Sequence, residues 1–137
     1  MQARIGVEMN FQAHTIAVID DDPRVLESLV NLLASYGYSA QSYISAEQFL
    51  QAGGPEKCSC IIADVEMPQM SGLGLLEHLK GSDWDVPMIL ITGKPSVRSE
   101  AFYRERGAIG FFRKPVDGDT LVELICSVCR LPKPDVN

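Results

Sequence analysis

The chain has 137 residues, 46% hydrophobic and 22% charged, with a formal net charge of −6. That length suits one domain with a real core, and the acidic balance, with no Lys/Arg cluster to override it, argues against a nucleic-acid surface. No apolar stretch is long enough to cross a bilayer, and Met1–Ala13 lacks the apolar core of a signal peptide, so a cytoplasmic protein with no membrane segment is expected.

In chain order, residues 1–13 read as a flexible arm. Thr15-Ile-Ala-Val-Ile is a first strand running into Asp20, Asp21 and Asp22. Asp22-Pro23 then supplies a helix cap followed by proline at the first helical position. Val25, Leu29, Leu32 and Leu33 recur at helical spacing, and Gly37 stops that helix after Tyr36. Tyr38–Ile44 is a short strand whose mixed pattern puts it toward the sheet edge. Ser45-Ala-Glu-Gln48 fits a capping box for a short helix through Ala52, which Gly53-Gly54-Pro55 breaks.

Cys60-Ile-Ile-Ala-Asp64 is the next strand, followed by the Met67-Pro68 loop and a helix from about Gly72 to Lys80 with Leu75, Leu76 and Leu79 inward. Gly81–Val86 is a loop, Pro87 leads into the strand Met88–Thr92, and Trp84 is a partial surface anchor. Ser96–Arg106 is the weakest helix. Only Val97, Ala101 and Phe102 give it an apolar face, so it should be the most mobile element. Gly107 ends it, Gly110–Arg113 is the last strand, and Asp117 caps a final helix carrying Leu121, Leu124, Ile125 and Val128.

Five strands alternating with five helices imply a doubly wound parallel sheet, and open parallel sheets gather their functional groups at the carboxyl ends of the strands. Asp20, Asp21, Asp64, Thr92 and Lys114 all stand at or next to such ends. Three acids, a hydroxyl and a lysine should therefore meet in one crevice, fit for a divalent metal and a phosphoryl group, with Asp64 placed to receive it. Asp22 is read as the cap alone.

Cys58, Cys60, Cys126 and Cys129 have the count of a structural zinc site. However, Cys60 opens an apolar strand, and Cys126 and Cys129 fall near a helix C-terminus, where the dipole disfavours a thiolate. Packing is the reading taken. His14 and His78 carry little functional weight, His78 lying among the outward positions of its helix.

These residues resemble the receiver domains of two-component response regulators. The likeness covers about Thr15 to Leu131 and rests on motifs in one order: Asp20-Asp21, Asp64 with Met67-Pro68 and Gly72 following, Thr92-Gly93, and Lys114-Pro115. It implies a flavodoxin-like fold of strand order 2-1-3-4-5, with a receiver domain over 14–131 and a tail or linker over 132–137. The chain is then a stand-alone receiver or the first piece of a longer regulator.

The resemblance also implies roles. Asp64 would be the phosphoacceptor, since a carboxylate can act as nucleophile and carry an acyl-phosphate. Asp21, Asp64 and the backbone carbonyl of Glu66 would ligate Mg²⁺ (or Mn²⁺), with Asp20 acting through a water. Thr92 and Lys114 would bind the remaining phosphoryl oxygens, and the Lys114–Pro115 bond would be cis. Phe111 stands at the switch position coupled to Thr92, with Gly93 leaving room beside it. The donor would be a sensor histidine kinase or phosphotransfer protein. Targets, or a second receiver in a homodimer, would meet the surface of the 96–106 helix, the last strand and the last helix. Such a domain is not an enzyme beyond catalysing its own phosphoryl transfer and dephosphorylation.

Glu66 and Lys94, each two residues beyond a site residue, are expected to bridge over the site and slow hydrolysis. Two other readings stand beside the switch. One is a haloacid-dehalogenase-type phosphatase with Asp20 as nucleophile, which leaves Asp64 and Met67-Pro68 unexplained. The other is a degenerate receiver acting as a constitutive protein-binding module, against which the intact acids, Thr92 and Lys114 argue.

Overall fold

The computed structural model describes residues 15–83, 85–94 and 98–128. The expectations for the arm, His14, Trp84, Ser96, Val97, Cys129 and the tail lie outside those residues. The elements are β1 (Thr15–Ile19), α1 (Pro23–Ser35), β2 (Ser39–Tyr43), α2 (Ala46–Gln51), α3 (Gly54–Lys57), β3 (Cys60–Asp64), α4 (Gly72–Lys80), β4 (Met88–Thr92), α5 (Glu100–Glu105), β5 (Gly110–Arg113) and α6 (Gly118–Val128). All strand pairs are parallel, in the order β2-β1-β3-β4-β5. β2 is an edge, as its mixed pattern predicts.

Side chains alternate across a strand, so each strand feeds two cores. Ala17, Ile19, Ile61, Ala63, Met88 and Leu90 face α2, α4 and α5, where they meet Phe49, Leu75, Leu79 and Tyr103. Ile16, Val18, Ile62, Ile89 and Ile91 face α1 and α6, where they meet Leu26, Leu29, Leu33, Leu121 and Ile125. Both faces of β1, β3 and β4 are covered, which is why their sequences are apolar without alternation.

The helix ends follow local chemistry. Asp22 caps α1 by accepting from the Arg24 amide at 2.9 Å, with proline in the first turn. Ser45 caps α2 by accepting from the Gln48 amide at 3.0 Å, while Gln48 Oε1 accepts from the Ile44 amide at 2.8 Å rather than from the Ser45 amide. Asp117 accepts from the Thr120 amide at 3.1 Å at the start of α6.

Two expectations change. Gly53-Gly54-Pro55 ends α2 but also starts α3, so six helices are described. Gly53 takes the left-handed conformation (φ 70°) and Gly54 packs where a Cβ would collide with the Phe49 ring. In α5 the buried residue is Tyr103, with Phe102 half-buried and Ala101 exposed. The helix begins at Glu100, capped by Ser99, and Tyr103 faces inward, where its ring stacks on Phe111 at 5.0 Å and 10°.

Candidate functional site

Strand register assembles the site. Ile19 pairs with Ala63, so Asp20 and Asp64 follow side by side at the carboxyl edge. Asp64 pairs with Ile91, one residue before Thr92. Thr92 pairs with Arg113, and the Lys114 amide donates to the Thr92 carbonyl at 2.7 Å, holding the lysine next in line. The Lys114–Pro115 peptide is cis.

Asp20, Asp64 and Thr92 are the buried polar or charged side chains among the described residues. Burying charge is costly unless it is paired, and a strand end with two sunken carboxylates is a candidate for function. Lys114 Nζ lies 2.9 Å from Asp20 Oδ2 and 3.3 Å from Asp64 Oδ2. Asp64 Oδ1 accepts from the Glu66 amide at 3.2 Å, and Asp20 Oδ1 from the Asp22 amide at 2.9 Å. Below, Gly72 donates its amide to the Val65 carbonyl at 3.1 Å, closing the loop after β3 against the strand.

Burial, with the neighbouring Asp20 charge adding to it, raises the Asp64 carboxyl from 3.8 to about 6 against the opposing pull of Lys114. Burial alone would lower the Lys114 ammonium, but the Asp20 and Asp64 carboxylates outweigh it and the net shift is upward. An acid that keeps its proton to about pH 6 in the fold, yet releases it near 3.8 when unfolded, contributes stability that is fully present below 3.8 and lost as the pH rises through 6. Asp64→Asn should therefore stabilise the protein at pH 7.5 without metal. A full shift of this size converts to roughly 3 kcal/mol, and solvent screening reduces the expected gain to about 1–2 kcal/mol. Urea unfolding should find that gain shrinking as the pH falls below 6; a variant less stable than the parent at pH 7.5 would contradict it.

Asp20, Asp21 and Asp64 each place a carboxylate oxygen within 4.8 Å of the others. Asp20 Oδ2 is buried and near the Lys114 ammonium but has no partner in hydrogen-bonding geometry. An all-oxygen donor set with an unsatisfied buried lone pair and an exposed Asp21 at the mouth fits a hard divalent cation that keeps water ligands.

Other expected residues fall differently. The Glu66 carboxylate does not pair with Lys94. It accepts the Thr92 hydroxyl at 2.8 and 2.9 Å, while the Lys94 backbone amide bonds to Thr92 Oγ1 at 3.1 Å. The reason is reach: the β3 and β4 ends bring Glu66 over Thr92 before it meets the exposed Lys94 side chain. Phe111 is half-buried against Tyr103. Gly93 is exposed, and a Cβ there would meet only the Lys114 stem, at 3.5 Å. Asp22 is the α1 cap, as read.

His78 is exposed on α4. Cys58, Cys60 and Cys126 form no disulfide. Cys58 packs on the α2/α4/α5 side, whereas Cys60 and Cys126 pack on the α1/α6 side, so the sheet separates them. Sequence reasoning did not signal that Glu47 ties α2 to the site loop through the Met70 amide at 3.2 Å.

An open parallel α/β sheet with acids, a threonine and a lysine gathered at its carboxyl edge places the chain in the doubly wound class. The sequence matches the response regulator receiver domain over residues 16–126, and the chain belongs to that family. It is 36% identical over 123 residues to the response regulator protein TodT of Pseudomonas putida, covering 90% of this chain and 54% of that one. It is 38% identical over 110 residues to the transcriptional regulatory protein FixJ of Azorhizobium caulinodans, covering 80% and 52%. The chain thus spans about half the length of these curated relatives. Among solved structures, FixJ-N superposes with a TM-score of 0.76 at 31% identity, covering 87% of this chain and 95% of that chain. Response regulator StyR gives 0.77 at 34%, covering 85% and 59%. The protein therefore carries a signalling receiver domain with an acidic pocket that could bind a metal.

Proposed function

We propose that this receiver is a phosphorylation switch in which Asp64 takes a phosphoryl group from a phosphohistidine on a sensor histidine kinase or phosphotransfer protein. The observation that carries the reading is the trio of buried polar side chains, Asp20, Asp64 and Thr92, with Lys114 Nζ between the two acids.

An Asp64 carboxylate oxygen attacks phosphorus, the P–N bond to the donor imidazole breaks, and the leaving nitrogen takes a proton. With acetyl phosphate, the bond broken is P–O and acetate leaves. Asp21, Asp64 and the Glu66 carbonyl would hold Mg²⁺ or Mn²⁺, with Asp20 acting through a water, and the ion when bound supplies positive charge against the phosphoryl oxygens. Lys114 supplies a second positive charge, released from its carboxylate partners toward the incoming group. Thr92 offers its hydroxyl proton to a phosphoryl oxygen.

A groove of about 580 Å³ runs from Lys114 and Pro115 along Val25, Leu29 and Leu32 of α1, and a donor would approach Lys114 along it. Movement of Thr92 and Lys114 would be felt by Phe111, whose ring is packed on Tyr103 of α5. That connects the charge change to the α5, β5 and α6 surface, where a target or a second receiver would bind.

Incubation with acetyl phosphate, read by phosphate-affinity electrophoresis, tests this. A retarded band with Mg²⁺ and none in EDTA is expected. No retarded band, with Mg²⁺ binding also absent, would overturn the switch in favour of a constitutive binding module.

A further inference from the structure

The Thr92 hydroxyl is already fully engaged. Its single proton is shared between Glu66 Oε1 at 2.8 Å and Oε2 at 2.9 Å, and its oxygen accepts the Lys94 amide at 3.1 Å. Thr92 is wholly buried, so no water competes freely for that proton. Glu66 meanwhile holds Asp64 Oδ1 through its backbone amide at 3.2 Å. One residue thus binds the nucleophile with its main chain and the hydroxyl with its side chain.

We propose that Glu66 is a positioning residue, a resting-state clasp whose carboxylate withholds the Thr92 hydroxyl from the phosphoryl site until phosphorylation displaces it. The proposal rests on the reading of Asp64 as phosphoacceptor. A hydroxyl has one proton to give, and a phosphoryl group and a carboxylate are both acceptors for it. The two bonds therefore exclude each other, and Thr92 has two discrete partners. Phosphorylation also adds negative charge beside the Glu66 carboxylate, which weakens the clasp at the moment the competing acceptor arrives. Both bonds are to ionised acceptors, so the hydroxyl must give up one strong bond to form the other, and the clasp slows a transfer that draws on that hydroxyl.

The backbone groups of Glu66 survive substitution, so removing the side chain isolates the clasp. The measurement is the rate of adduct formation from acetyl phosphate with Mg²⁺, followed by intact mass, in the parent, Glu66→Ala, Thr92→Ala and the double variant. Glu66→Ala is expected to react about tenfold faster than the parent, the factor equivalent to about 1.4 kcal/mol. In the Thr92→Ala background the same change should alter the rate by less than about twofold, because the clasp has no hydroxyl to hold. Glu66→Gln, which keeps an acceptor but not the charge, should fall between the parent and Glu66→Ala. Thr92→Ser, which keeps the hydroxyl, should restore the response to Glu66→Ala.

An equal acceleration in both backgrounds would mean that Glu66 acts only through its charge, and would overturn the clasp. So would an unchanged rate in Glu66→Ala and Glu66→Gln. Absence of any adduct, in the parent as in the variants, would overturn the phosphoacceptor reading and the clasp with it.

Discussion

Lys114→Met should lower stability at pH 7.5 in EDTA by about 2 kcal/mol, although methionine keeps most of the buried stem. The ammonium sits 2.9 Å from Asp20 and 3.3 Å from Asp64, and Asp20 is wholly buried. Removing one partner of a buried pair costs about 3–5 kcal/mol because the other charge is stranded. Lys114 keeps 23% of its side chain exposed, so water relieves part of that, and the figure is discounted accordingly. The carboxyl of Asp64 should also move above its present value of about 6, since Lys114 is what pulls it down. At pH 4.5 Asp64 carries its proton and the penalty should narrow. Urea unfolding at the two pH values reads both effects. Equal stability of parent and variant at pH 7.5 would show that the ammonium does not hold the two acids together.

The second large effect is expected at Gly72. A Cβ there would fall far inside van der Waals contact of the Asp64 carbonyl oxygen and 3.0 Å from Leu90 Cδ2. The obstacle is backbone of the central strand, so no rotamer change relieves it. Gly72→Ala should destabilise by about 2–3 kcal/mol, in the range of overpacked cores, and should displace the strand end that carries Asp64. Gly74→Ala is the internal control. Its Cβ would meet Met70 Cγ and Ser71 Oγ at 3.4 Å, and exchanging a helical glycine for alanine gains up to about 1 kcal/mol. Thermal unfolding of both variants separates a steric requirement from a helix preference. Equal and small shifts would contradict the close approach at Gly72.

Much of this arrangement is legible in the chain because strand ends carry chemistry. Each buried strand is an apolar run closed by Asp20, Asp64, Thr92 or Arg113-Lys114, and parallel order alone brings those ends together. The helix starts were readable from Asp22-Pro23, Ser45 and Asp117, whose side chains reach amides within their own turns. What sequence could not supply is tertiary. Tyr103 rather than Ala101 turns inward on α5, where Phe111 offers a ring to stack on. Residue spacing alone sets Glu66 opposite Lys94, whereas the loop geometry puts its carboxylate on Thr92. The short α3 was hidden because Gly53-Gly54-Pro55 reads as a breaker, and only the packing of Gly54 under Phe49 explains the turn that follows.

The most direct measurement is the position of the phosphoryl group. The protein would be treated with acetyl phosphate and Mg²⁺, reduced with borohydride, which converts an aspartyl phosphate to homoserine, and mapped by peptide mass. The account predicts conversion at position 64 alone, labile to hydroxylamine before reduction and lost in Asp64→Asn. Conversion at position 20 would contradict it and favour phosphatase-like chemistry on the first strand.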